Sequence, residues 1–174
     1  RVGRLAMNKL QRIFRHRWTD ERDLARARDA AALARIQARV SASERRHSGE
    51  IRVCAEAGLP MSYLWRGASA RERAVMMFGK LRVWDTEHNN GVLIYLLLAE
   101  HCIEIVADRG LNRHVSPSQW QEVMERMRGA FRKGEFEAGL NDAIDAVDAL
   151  LARHFPLAPG QANPNELPDA PHLR

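Results

Sequence analysis

The stretch NNGVLIYLLLAEHCIEIVADRGL, residues 89–111, decides the fold. Gly91–Ala99 is a continuous apolar run bounded by turn formers, and its length suits a strand buried on both faces better than a helix. Glu100 and His101 leave room only for a tight connection. Cys102–Ala107 then forms the next strand, with Ile103 and Ile105 facing one way, and Asp108-Arg109-Gly110 ends it. Strands joined by so short a link run antiparallel.

Upstream, Glu50–Ala57 alternates, with Ile51, Val53 and Ala55 on one side and Arg52, Cys54 and Glu56 on the other. That pattern predicts a half-exposed strand near a sheet edge. Gly58 and Pro60 end it, and a loop through Tyr63, Trp65 and Gly67 follows. Ser69-Ala-Arg-Glu72 is a capping box, in which hydroxyl and carboxylate each satisfy an orphan amide. The helix it opens carries Ala74, Met77, Phe78 and Leu81 on one face and is expected to reach about Trp84. A helix between two strands makes them parallel through a right-handed crossover.

Downstream, Ser116-Pro-Ser-Gln119 is a second capping box with proline at the first helical position. Its helix buries Trp120, Val123, Met124, Met127 and Phe131, and Lys133-Gly134 stops it. A last helix places Phe136, Leu140, Ile144, Val147 and Leu151 on one face. After His154 the chain turns to Pro, Asn and Ala, a composition that predicts an extended or poorly ordered tail.

At the other end, Leu10, Ile13, Phe14 and Trp18 form an apolar stripe among Lys9, Arg12, Arg15 and Arg17. Such a basic amphipathic helix either lies on anionic membrane or docks its stripe on the domain; docking is the commoner use. Thr19, followed by Asp20, Glu21 and Asp23, suits a helix amino terminus, and the Ala/Arg-rich run that follows continues to about His47, ended by Gly49. The chain therefore divides into a basic helical segment (1–28), one domain (29–155) and a Pro-rich tail (156–174). The fold class is α/β: a small mixed twisted sheet of three to four strands with helices on both faces.

Composition narrows the function. The 174 residues are 45% hydrophobic and 28% charged, as in an ordinary globular domain. Net charge is +5, but residues 1–49 hold 13 Lys+Arg against 5 Asp+Glu, while residues 50–174 hold 14 against 17. The positive charge lies on the amino-terminal helices, without interleaved stacking aromatics, which argues against a nucleic-acid partner. Cys54 and Cys102 match no zinc or redox spacing and read as buried thiols. No apolar run approaches the ~18 residues of a transmembrane segment. Arg1–Trp18 lacks the apolar core of a secretory leader. The expected location is the cytoplasm, peripheral at the inner face of the membrane if the basic helix lies there.

The topology gathers polar residues. The starts of the first two strands and the end of the third share one edge of the sheet, which brings together His47, Glu50, Asp85, Glu87, His88, Asn89, Asn90, Asp108 and Arg109. Oxygen donors on loops suit a hard cation such as Ca2+ or Mg2+, and the candidate ligands are Glu50, Asp85, Glu87, Asn89, Asn90 and Asp108. Arg109 would then serve as a fork for phosphate oxygens. Loops at sheet ends are also polar simply because their backbone needs partners. No nucleophile elbow, phosphate-cradling glycine loop or zincin motif accompanies them.

These residues resemble the TPM domain family over about residues 30–155. The resemblance rests on Asn89-Asn90-Gly91 before the apolar strand, on Gly110-Leu111 after the third strand, and on AFRKGEFEAGL with Phe131, Gly134, Glu135, Phe136 and Gly139. Gly49, Glu50 and Ile51 match the family's step from helix into strand. The resemblance implies a compact α/β sandwich; some members look like acid phosphatases with a bound divalent cation, others like membrane-associated accessory modules. Asn89 stands where the family often has Asp, and Asp108 where it usually has glycine, so one negative ligand is lost and one gained. Two functional readings follow: a non-enzymatic module acting through a protein partner or a membrane surface, or a divalent-metal-dependent phosphatase-like hydrolase.

Overall fold

A computed structural model describes residues 9–17 and 29–174; Trp18 and the acidic helix start at Thr19 lie outside the described residues. In chain order the elements are α1 (Lys9–Arg17), α2 (Ala30–Ser43), β1 (Glu50–Glu56), α3 (Met61–Trp65), α4 (Ala70–Lys80), β2 (Gly91–Leu97), a 3-10 turn (Leu98–Glu100), β3 (Cys102–Ala107), α5 (Arg109–Asn112), α6 (Pro117–Arg132), α7 (Phe136–His154) and β4 (His172–Leu173).

The sheet order is β3-β2-β1-β4. β1 and β2 are parallel with Glu50 opposite Gly91, and β2 and β3 are antiparallel with Val92 opposite Ala107. Both pairings follow from connection length. All seven residues of β2 are buried. Alternation explains how one strand serves two cores: Val92, Ile94 and Leu96 join Ile51, Val53, Ile103 and Ile105 beneath α2, α6 and α7. Leu93, Tyr95 and Leu97 face the other way, onto Leu64 of α3 and Ala74 and Met77 of α4. Each such large apolar side chain contributes about 1.5–3 kcal/mol on burial.

The capping boxes set the helix starts. The Ser69 hydroxyl accepts from the Glu72 amide at 3.1 Å while the Glu72 carboxylate accepts from the Ser69 amide at 2.7 Å. Ser116 and Gln119 reciprocate in the same way, and Gly134, at φ +76°, ends α6. α4 stops at Lys80, short of the expected Trp84, because Arg82 takes a left-handed conformation (φ 55°) and turns the chain toward β2. The segment after Pro60 forms the one-turn helix α3 rather than a loop.

β1 departs from expectation more sharply. It is an inner strand with every residue buried, because residues 163–174 return across the domain and pair β4 beside it, Cys54 opposite His172 and Ala55 opposite Leu173. The tail is thus extended and held by the domain. Burial then forces its polar side chains to find partners. The Arg73 guanidinium of α4 donates to the Glu56 carboxylate at 2.7 Å, and the Tyr95 hydroxyl donates to the same carboxylate at 2.7 Å. At the opposite edge, the Arg71 guanidinium donates to the Ile105 carbonyl of β3.

Candidate functional site

The three chain segments expected at one edge do meet there, and a row across the sheet defines it. Glu50 is opposite Gly91, and the Asp108 amide donates to the Gly91 carbonyl at 2.9 Å. By alternation Glu50 and Asp108 lie on the face of the second core, two strand spacings or roughly 10 Å apart at their α-carbons. Gly91 between them has no room for a side chain, since a β-carbon would overlap the carbonyl oxygen of Val83.

Each candidate residue has a definite place. Glu50 is fully buried, and its carboxylate accepts the backbone amides of Glu166 at 3.0 Å and Leu167 at 3.2 Å. Burial pushes its pKa up to about 6, against the pull of those two amides. Asp108 caps α5, accepting from the Arg109 amide at 2.7 Å through one oxygen; the other oxygen is buried without a partner. Asn90 is buried, its amide group donating to the Ser48 hydroxyl at 3.3 Å and its oxygen left without a partner. Asn89 is exposed with φ 51°, and its carbonyl accepts from the Gly110 amide at 2.8 Å, a close approach that only glycine permits. Asp85 is exposed and paired with Arg82 at 2.6 Å. Glu87 is exposed, and its backbone amide donates to the Glu166 carboxylate at 3.1 Å. Arg109 is exposed at the start of α5.

The edge therefore brings Glu50, Asn90 and Asp108 into the buried end of the sheet, and leaves Asp85, Glu87, Asn89 and Arg109 on its solvent side. Among the described residues no three His, Cys, Asp or Glu side chains form a metal-holding group. Two hard oxygen donors, on Asn90 and Asp108, are unsatisfied, and an unpartnered buried oxygen is costly.

Glu44 and the tail residue Asn163 were not legible beforehand, whereas His47 was expected at this edge and is buried there. Glu44 of the turn after α2 is buried and accepts the Ile51 amide at 2.8 Å; burial, with Glu50 and Asp169 nearby, pushes it up to about 9. His47 is fully buried, its Nδ1 against the Gly49 carbonyl at 3.0 Å and its Nε2 3.4 Å from the Asp148 carboxylate without a hydrogen bond. Burial, helped by the charge of Arg46, pulls it down to about 4, so the ring is neutral. Asn163 donates to the carbonyls of His47 at 2.8 Å and Gly49 at 3.0 Å. The only sequence trace of this clasp is a few apolar residues, Leu157, Leu167 and Leu173, scattered through a polar tail.

A second surface sits away from the edge. α1 docks through Ile13, through Arg12, and through His16, whose Nδ1 accepts the Leu59 amide at 2.9 Å. Arg12 and His16 both meet Glu100 at 2.7 Å. Leu10 and Phe14 of the stripe face outward, 64% and 63% exposed, beside α3, where Met61 is 43% and Trp65 68% exposed. The Lys9 ammonium reaches the Trp65 carbonyl at 3.5 Å, which joins the two helices into one face.

Comparison with known proteins agrees with this architecture. The NMR structure of BA42 protein from the psychrophilic bacterium Bizionia argentinensis superposes with a TM-score of 0.72 at 29% sequence identity, covering 83% of this chain and 94% of that one. No curated protein matches the chain. The model of the TPM domain matches residues 22–150, and on that match the chain belongs to the TPM domain family.

Proposed function

We propose that this protein is a non-enzymatic accessory module that works against an anionic membrane surface. The observation that carries the reading is the outward face shared by α1 and α3, where Leu10, Phe14, Met61 and Trp65 are exposed together. Large apolar side chains exposed in a group mark an interaction surface, whereas the same residues scattered singly need no explanation. Lys9 and Arg15 are exposed on α1, and Arg66, directly after α3, is exposed and paired with Glu72 at 3.0 Å. Apolar wedges with cations on the same helix suit a lipid headgroup boundary, where each basic residue contributes about 1 kcal/mol near anionic lipid. No helix among the described residues is long and apolar enough to cross a membrane, so contact of this kind would be peripheral.

The test is flotation of the full chain with vesicles of phosphatidylserine and phosphatidylcholine, beside the double variant Phe14→Glu, Trp65→Glu. The wild type should float with the anionic vesicles, less so in high salt, and the variant should stay in the aqueous phase with an unchanged circular dichroism spectrum. A wild type that never leaves the aqueous phase refutes the reading.

A second reading, a divalent-metal-dependent phosphatase-like hydrolase, is favoured by the unpartnered oxygens of Asn90 and Asp108. Those two donors fit a hard cation such as Ca2+ or Mg2+, while Glu50 is engaged by the tail and Asp85 by Arg82. A bound cation would supply charge neutralisation for a phosphate ester, and Arg109, exposed beside them, would orient its oxygens. Calorimetric titration of the full chain with each cation, alongside phosphate-ester turnover, tests it. Binding and turnover that both vanish in Asp108→Ala support the hydrolase; neither appearing between about pH 5 and 8 removes it.

A further inference from the structure

We propose that the outer side of β1 is a groove that recognises an extended peptide from another polypeptide, and that residues 163–173 of this chain fill it in cis. The argument is independent of the membrane reading and rests on how the tail is held. Most of the grip is on backbone. Glu50 accepts the amides of Glu166 and Leu167, and Arg52 donates to the carbonyls of Pro168, at 2.6 Å, and Ala170. Further along, the Arg174 amide donates to the Ala55 carbonyl and the Ala57 amide to the Arg174 carbonyl, both at 3.0 Å, continuing the pairing of β4.

Glu50 and Arg52 are two residues apart on the same strand, hence on one face, and both are buried. Neither forms an ion pair with a charged side chain of the domain. A buried carboxylate and a buried guanidinium are costly unless hydrogen-bonded, and here peptide groups supply the bonds. Because those groups are common to every sequence, the grip itself is indifferent to the side chains of the occupant. Residues 172–174 add to the edge of β1 as a strand, and in strand addition main-chain bonds give affinity while pockets for selected side chains give choice.

Two positions of the tail do use side chains. Leu167 is buried in the second core. Six residues on, Leu173, with Pro171, borders a cavity of about 560 Å³ lined mainly by Ile36, Val53, Leu96, Phe136 and Leu140. That half-open space lies beside Leu173, so the groove has room there for a larger apolar side chain. The recognised class is therefore an extended segment with a leucine-like residue and, six positions later, an aromatic one. A tethered occupant acts at an effective concentration on the order of mM, so a free peptide must exceed that or meet a loosened tail.

The experiment measures binding of a fluorescent peptide with the sequence of residues 161–174 carrying Leu173→Phe. It is titrated into the full chain and into the full chain bearing Leu167→Ala and Leu173→Ala, which weakens the tail and leaves Glu50 and Arg52 in place. Binding to the loosened chain should be tighter by about tenfold or more, and peptide lacking the leucine equivalent to Leu167 should not bind. Equal binding to both chains, or none to either, overturns the proposal. Should the loosened chain fail to fold, hydrogen exchange on the wild type decides. Excess peptide should speed exchange of the Glu166 and Leu167 amides and leave β2 protected; unchanged tail exchange at mM peptide overturns the groove.

Discussion

Gly91 lies directly beneath the carbonyl of Val83, so closely that a β-carbon on Gly91 would occupy the place of that oxygen. The contact lets the turn after α4 pack against the start of β2.

Gly91→Ala should therefore destabilise by about 3 kcal/mol, the upper range for overpacking, since backbone and not a flexible side chain must yield. Gly129 supplies the control. It lies exposed within α6 with nothing near its missing β-carbon, so Gly129→Ala should stabilise by about 0.5–1 kcal/mol. Urea unfolding of the two variants should show opposite signs.

The sum of three shifted groups should peak at about pH 4.5, because above it two raised carboxyl groups outweigh one depressed histidine. His47 is held at about 4 against an ordinary 6.5, so the unfolded chain binds the extra proton between those values and the His47 contribution is lost as pH drops through that window. Glu44 and Glu50 are raised to about 9 and about 6 from 4.5. In their case the folded chain holds the proton, and their stabilisation is lost as pH rises from about 4.5 through 6 for Glu50 and on toward 9 for Glu44. Thermal melts from pH 4 to 9 read both arms. His47→Gln should flatten the acid arm, and Glu44→Gln the alkaline one.

The Glu56 carboxylate is buried, yet bonds from Arg73 and Tyr95 outweigh that burial and hold it below the usual carboxylate range. Arg73→Met leaves this charge without its cation and should cost about 3–5 kcal/mol. Adding Glu56→Leu removes the stranded carboxylate and should restore more than half of the loss. A double-mutant cycle in urea measures the coupling.

Glu100 holds α1 through both Arg12 and His16. Glu100→Ala should speed amide exchange across Lys9–Arg17 at least severalfold while β2 remains protected, as expected for a local rather than global opening.

Much of this architecture was readable from local signals. The unbroken apolar run from Val92 to Leu97 implied a strand covered on both sides, and two capping boxes fixed the starts of α4 and α6. The length of each connection set strand direction, which in turn placed Glu50, Asn90 and Asp108 at one end of the sheet. The fate of the Glu50 side chain was not readable, because it depends on residues more than a hundred positions away. Glu50 alternates like a solvent-facing residue of an edge strand, and only the return of Glu166 and Leu167 makes it a buried acceptor. The tail's Pro and Asn content signals an absence of helix, which is silent about docking. Similarly, the α1 stripe has the period of a core helix, but His16 and Ile13 dock while Leu10 and Phe14 turn outward.

β4 lies along β1 on one side of the sheet, and on the other Arg71 takes one carbonyl of the edge strand β3. An uncovered strand margin is a template for stacking copies of a chain into fibrils. The Pro-rich return segment thereby acts as a guard against self-assembly. Any circumstance that lifts it bares a seven-residue strand reading EIRVCAE, whose alternating charges are the remaining protection against aggregation.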